Sequence, residues 1–208
     1  MIFRSIEVRT YDVPLSRPYA IANASTDAVE MARVVLHCDG GVIGIGAATP
    51  EPRVTGETFA MCVDALHAAA ADLRGRSFSH PRELAPLLHA AMPMCPGARA
   101  AIDMALHDAQ GRANGKPVVE LLGRVHEALP TSITIGVKDV TETLAEAREY
   151  LGRGFRVLKV KIGENVDLDV ERLAKLRELV GRDLPLLADA NVGYTANTLT
   201  TFLAKTRD

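Results

Sequence analysis

Lys159 and Lys161, one residue apart, and Asp189, which closes the next apolar run, are residues whose types and spacing could do chemistry. If the stretch Phe155–Ile162 is a strand, successive side chains point to opposite faces, so both lysines share one face and Val160 takes the other. Two ammonium groups that close disfavour each other's charge, and a lysine so placed can act as a general base near neutral pH. Lysine pairs also occur on solvated strand faces, and the spacing by itself favours that blander reading. The second run, Leu186-Leu187-Ala188-Asp189-Ala190-Asn191, ends in a carboxylate and an amide on the same side. A lone Asp at a strand end is more often a helix cap or turn residue. Active sites of parallel α/β folds, however, lie at the carboxyl ends of strands, where a carboxylate is a natural ligand for a hard cation such as Mg²⁺. With the lysines at the equivalent end of the neighbouring strand, the three side chains would face one pocket. A metal beside a lysine base is the equipment for removing a proton from the carbon next to a carboxylate, because the metal stabilises the enolate that forms.

The elements that must position these residues come late in the chain. From Leu129 the pattern is strand, helix, three times over: strands at Thr131–Gly136, Phe155–Ile162 and Leu184–Ala190, helices at about Thr141–Arg153, Val166–Val180 and Thr195–Lys205. The second helix carries an apolar stripe of Val166, Val170, Leu173, Leu176 and Val180, as a helix covering a parallel sheet should. A closed barrel of eight such units takes about 250 residues, and less than a third of that lies between Pro130 and Asp208. The first part reads differently. Residues 2–13 alternate as a strand, with Ile2, Ile6 and Val8 on one side and a turn marked by Pro14 and Pro18. Strands at Glu30–Cys38 and Val42–Ala47 are joined by Asp39-Gly40-Gly41, a hairpin connection. Thr58–Leu73 has Val63, Leu66, Ala70 and Leu73 at helical spacing, and Pro81 and Gly97 punctuate two further helical stretches. Sheet first and helices after predicts an α+β domain.

Composition excludes several classes of function. At 208 residues, 48% hydrophobic and 24% charged, the chain is that of a globular protein with room for a core. The net charge is −2 and the 24 Lys+Arg are dispersed, which favours a small-molecule substrate over a nucleic acid or an anionic membrane. Cys38, Cys62 and Cys95 form no CxxC pair and are odd in number, which suits a reducing cytoplasm. Charges at Arg4, Glu7 and Arg9 interrupt any leader-like apolar run, and no window is long enough for a membrane span. Gly44-Ile45-Gly46 resembles the start of a dinucleotide fingerprint, but Thr49 stands where the third glycine belongs, so hairpin structure is the expectation. Asp103 and His107, four apart on a helix, read as a local contact rather than a catalytic pair.

The block Ala98-Arg99-Ala100-Ala101-Ile102-Asp103-Met104-Ala105-Leu106-His107-Asp108, then Gly111, Asn114-Gly115-Lys116-Pro117-Val118 and Leu121-Leu122-Gly123, resembles the passage from capping domain to barrel in the enolase superfamily. With the K-x-K and D-x-N strands in order behind it, the likeness spans the chain and is similar to the muconate-lactonizing subgroup, dipeptide epimerases above all. It implies an α+β capping domain over residues 1–125, then the first three βα units of a TIM-type (β/α) barrel over 126–208, an incomplete barrel. It implies Lys161 as acid/base on one face of the substrate, Lys159 as its electrostatic support, and Asp189 as the first of three carboxylate ligands to Mg²⁺. Asn191 would act at most through Asp189. Two specificity loops correspond to Arg17–Thr26 and Ala47–Glu57. The second closes on Thr55-Gly56-Glu57, as in dipeptide epimerases, and Thr55, Gly56 and Thr134 become candidate substrate contacts. Ala47 departs from the G-x-G-E pattern of the family. The implied reaction is epimerisation of an L-Ala-L-Glu-like dipeptide through an enolate, in a cytoplasmic enzyme compatible with homo-oligomers. o-Succinylbenzoate synthase, N-acylamino-acid racemase and muconate cycloisomerase would use the same residues. The remaining metal carboxylates and the opposite-face lysine are expected beyond Asp208, so a non-catalytic truncated fragment is the alternative of a different class.

Overall fold

The computed structural model describes residues 1–21 and 24–207. Their contacts divide them into two compact units, Met1–Pro14 with Ala28–Val125, and Leu15–Asp27 with His126–Asp208. Ala22 and Asn23, at the centre of the loop Arg17–Thr26, lie outside the described residues.

A three-stranded sheet runs in the order β1 (Phe3–Ile21), β2 (Ala24–Cys38), β3 (Ile43–Ala48); its part outside Leu15–Asp27 belongs to the first unit. β1 runs through Pro14 and Pro18, where the sequence predicts a turn; β1 is an edge strand, the place in a sheet where proline is tolerated. β2 and β3 pair antiparallel from Ala32↔Ala48 to His37↔Ile43. Ala32, Val34, Leu36 and Cys38 alternate into the core, as a half-buried strand requires. Between the strands, Gly40 and Gly41 take φ of 67° and 76°, the left-handed region that glycine enters without strain.

Helices α1 (Pro52–Thr55), α2 (Phe59–Leu73), α3 (Ala85–Ala91), α4 (Pro96–Ala113) and α5 (Val118–Leu121) follow. α2 starts where Thr58 accepts the Met61 N–H at 3.2 Å and buries Cys62, Leu66, Ala69 and Leu73, a face centred slightly off the one read from the sequence. α4 packs on β3 through small residues, Ala98, Ala101, Ala105 and Ala109. A Cβ on Gly44 would stand 1.9 Å from the Ala105 carbonyl oxygen, and one on Gly46 1.9 Å from that of Ala101. The G-x-G of the sequence therefore serves close helix–strand approach. The Asp108 carboxylate, from the same helix, accepts the Ile45 N–H at 2.9 Å.

The second unit has the alternating order expected: β4 (Ile133–Ile135), α6 (Val140–Gly152), β5 (Leu158–Lys161), α7 (Val166–Val180), β6 (Leu186–Asp189) and α8 (Ala196–Lys205). The strands form a parallel sheet in the order β4-β5-β6. Asp139, Asn165 and Thr195 cap the three helices. Ile135, Leu158, Val160 and Ile162 pack with Ala147, Tyr150, Leu176 and Phe202 in one core. On α7 Leu176 is the member of the apolar stripe that is fully buried, and Asp169 and Arg172, each 2% exposed, are buried with it.

Candidate active site

Register decides which side chains meet. Thr134 pairs with Lys159, Lys159 with Leu187, and Lys161 with Asp189. Paired residues in a parallel sheet present side chains to the same face, so Thr134, Lys159, Lys161, Leu187 and Asp189 share one, while Ile135, Leu158 and Val160 are buried on the other. The alternation of LKVK thus divides chemistry from core.

Asp189 holds the cluster together. Its Oδ2 lies 2.8 Å from Lys159 Nζ and 2.8 Å from Lys161 Nζ. Its Oδ1 accepts the Asn191 N–H at 3.0 Å. These contacts hold the Asp189 carboxyl well below the usual carboxylate range, with Lys159 the largest cause, then Lys161, then the Asn191 amide. The lysines differ in setting: the Lys161 side chain is 9% exposed and that of Lys159 33%. Lys161 is the shielded group and Lys159 the one in contact with solvent. After Asp189 the backbone turns sharply, with Asn191 at φ 46° and Val192 at φ 58°. Asn tolerates the left-handed region; a β-branched valine is strained there. Among the described residues Asn191 Oδ1 is buried without a hydrogen-bond partner.

Asp189 is the right kind of donor for Mg²⁺, a hard oxygen at a strand end, but such a cation takes several oxygens in near-octahedral array. Among the described residues no group of three or more His, Cys, Asp or Glu side chains gathers into a metal site. These residues alone do not make a magnesium site.

Thr134 is half-buried beside Lys159. Thr55 and Gly56 belong to the first unit and have local duties. Gly56 closes α1 at φ 76°, and Thr55 Oγ1 accepts the Glu57 N–H at 3.3 Å. Glu57 is fully buried and accepts the N–H groups of Gly97 and Ala98 at 2.5 and 3.0 Å, capping the N-terminus of α4.

Sequence reasoning missed a second set of residues around the lysines. Arg172 is buried and bonds the carbonyls of Lys161 and Gly136, and Asp169 accepts from Gly163 and Tyr194. An Asp and an Arg three apart inside an apolar stripe was the available signal. Tyr19 packs near Gly136, and burial, aided by the charge of Asp189, raises its phenol pKa. Arg17 pairs with Glu146 at 3.3 Å and Glu149 at 3.0 Å on α6. A cleft of about 600 Å³ opens among Ala20, Lys138, Asp139, Glu164, Asn165 and Arg172. Lys159, Lys161 and Asp189 do not line it, so the site is defined by the side-chain cluster and not by the cleft.

A parallel sheet with paired lysines and a carboxylate at its carboxyl end, behind an α+β unit, defines a class that comparison with known proteins makes specific. The N-terminal domain of mandelate racemase / muconate lactonizing enzyme matches residues 5–123, and the enolase C-terminal domain-like family matches residues 142–208. The chain belongs to the mandelate racemase / muconate lactonizing enzyme family of the enolase superfamily. It is 45% identical over 207 residues to the L-Lys-D/L-Arg epimerase of Desulforapulum autotrophicum, covering 99% of this chain and 58% of that protein. It is 31% identical over 208 residues to the L-Ala-D/L-Glu epimerase of Bacillus subtilis, covering 98% of this chain and 56% of that one. A crystal structure of the dipeptide epimerase from Methylococcus capsulatus, complexed with Mg and the dipeptide L-Arg-D-Lys, superimposes with a TM-score of 0.92 at 44% identity, covering all of this chain and 59% of that one. The chain therefore spans between half and two thirds of the length of these relatives. Among the described residues no helix is long and apolar enough to cross a membrane.

Proposed function

We propose that the protein is a dipeptide epimerase, which inverts an α-carbon by removing its proton and returning one from the opposite face. The observation that carries this reading is the convergence of Lys159 and Lys161 on Asp189 at the carboxyl end of the sheet, each 2.8 Å from one carboxylate oxygen. Lys161, shielded from water, is the acid/base for one face of the substrate. Lys159, more open, adds positive charge where the substrate's carboxylate gains electron density. Thr134 lies next to Lys159 on the same face and serves as a substrate contact; Thr55 and Gly56 are proposed in the same role through the loop that ends at Glu57. Inversion needs a second proton donor across the substrate, and a lone lysine on one face supports exchange rather than inversion. Mg²⁺, present in the solved relative, would take Asp189 as one carboxylate ligand among others that these residues do not supply, and would there stabilise negative charge developing on the substrate. Asn191 steadies Asp189 from behind.

The identity to L-Lys-D/L-Arg epimerases moves the favoured substrate from an L-Ala-L-Glu-like dipeptide to one bearing cationic side chains. A cytoplasmic setting and assembly into homo-oligomers belong to the same proposal. A panel of Lys-, Arg- and Glu-containing dipeptides, followed by α-hydrogen exchange in D₂O and by chiral chromatography, tests it. Turnover of Lys/Arg dipeptides is the expected result. Turnover of succinylbenzoate precursors or N-acylamino acids with none of any dipeptide would sink it. The same assay on the 208 residues alone decides whether they act without further chain.

A further inference from the structure

We infer that Asp169 and Arg172 are positioning residues for Lys161, a buried clamp that fixes the strand end from which the base emerges; the inference rests on the epimerase reading above. Arg172 is 2% exposed, and its guanidinium reaches four groups. Nε donates to Thr143 Oγ1 at 3.1 Å, and one terminal nitrogen donates to the Lys161 carbonyl at 2.9 Å and to Asp169 Oδ1 at 3.2 Å. The other terminal nitrogen donates to the Gly136 carbonyl at 2.9 Å. Asp169 completes the arrangement with Oδ2, which accepts the Gly163 N–H at 2.8 Å and the Tyr194 hydroxyl at 2.7 Å. One ion pair thus joins the ends of β4 and β5, the loop after β5, helix α6, and the segment after β6.

Packing does not call for a charge at this depth. A buried ion pair pays a desolvation penalty, and an apolar pair of similar volume is often as stable or more so. What a guanidinium adds is a rigid planar fork whose donors hold several acceptors at set spacing and direction. Two of those acceptors are backbone carbonyls at the strand ends, where the sheet's own ladder stops. Lys161 is held through its own carbonyl, so its Cα and the origin of its side chain on the opposite face are fixed by the fork. Gly163, two residues on, is held by Asp169, so the strand end is gripped on both sides. Lys159 and Asp189 receive no bond from the pair, which makes the clamp selective for one member of the cluster.

The test uses the protein as its gene encodes it. Arg172→Lys keeps the charge and loses the fork. Misplacement of a reacting group by about 1 Å can cost about 10²-fold, so kcat should fall by that order while KM changes little. The decisive reading is stereochemical. In D₂O, loss of the α-hydrogen from the epimer that presents it to Lys161 should slow in step with kcat, whereas the opposite epimer should go on exchanging its α-hydrogen at the parent rate. Thr143→Val, which removes one partner and leaves both carbonyl bonds, should act in the same direction more weakly; it carries the test if Arg172→Lys does not fold. Equal loss of exchange from both epimers, or an unchanged kcat in Arg172→Lys, overturns the inference. An arm independent of activity is amide hydrogen exchange by mass spectrometry: the Lys161–Gly163 segment should exchange faster in the variant, with α2 unaffected. If the parent acts on no dipeptide the epimerase reading fails, and unchanged exchange of that segment then overturns the clamp separately.

Discussion

At the scale of single residues, the two ammonium groups of Lys159 and Lys161 share one carboxylate oxygen, so the repulsion expected from their spacing is offset inside the cluster. Asp189 is thereby committed to the ionised form, and the burial difference between the lysines supports the proposed proton-transfer role of Lys161. A positive charge without a removable proton separates the base role from the electrostatic one, because a guanidinium cannot be deprotonated in a protein. Lys161→Arg is therefore expected to lose about 10²–10⁴-fold in kcat for epimerisation, the range for a general base, and Lys161→Ala to do the same, as followed by polarimetry. A retained rate in Lys161→Arg would mean that charge alone suffices there. Glu57 makes a contrasting case. Its carboxylate satisfies two orphan amides of α4 in a fully buried setting, so Glu57→Ala should lower the unfolding free energy by about 1–3 kcal/mol in urea titration, the cost of unmet buried donors. The Thr-Gly-Glu sequence that reads as a loop signature is thus also a helix cap.

At the scale of elements, the βα alternation was legible because each strand is a short apolar run and each helix opens on a capping residue: Asp139, Asn165 and Thr195. The face shared by Lys159, Lys161 and Asp189 was legible from the two-residue period of a strand and from the parallel order. What the sequence did not disclose is non-local. The length of β1 depends on its being an edge strand that tolerates Pro14 and Pro18. The depth of Asp169 and Arg172 depends on acceptors from Gly136, Thr143 and Lys161 and on donors from Gly163 and Tyr194, up to 36 residues away. The short helices α1 and α5 are too brief to show a helical period. The role of Gly44 and Gly46 likewise needs the partner helix to be seen. Each lies under an α4 carbonyl with no room for a methyl group, so Gly46→Ala must push α4 away from β3. The expected loss is about 1–3 kcal/mol, at the upper end because the obstacle is backbone, and the denaturation midpoint of the variant measures it.

At the scale of the whole molecule, the two units carry separate cores but share a weakness to alkali. In the first unit, burial, then the charge of Glu57, pushes the Cys62 thiol from its ordinary 9 up to about 12. In the second, burial, then the hydrogen bond to Glu146, pushes the Tyr150 phenol from 10 up to about 12. In both cases the folded state keeps a proton that the unfolded chain releases. Where the unfolded state binds fewer protons, stability falls as pH rises. The stability these groups contribute is therefore whole below their unfolded pKa values and is lost as pH climbs through 9 and 10 toward about 12. The expectation is a urea midpoint insensitive to these two groups near neutrality that declines through this alkaline window. Cys62→Ala should flatten the earlier part of the decline and Tyr150→Phe the later part, each against its own midpoint at neutral pH, since each variant also changes packing. Tyr150→Phe leaves Glu146 paired with Arg17 and Lys138, so the cluster on α6 keeps its charge balance and the change isolates the phenol's proton. A decline of the same steepness in the double variant would place the alkaline weakness elsewhere, in lysines whose ion pairs fail as they deprotonate.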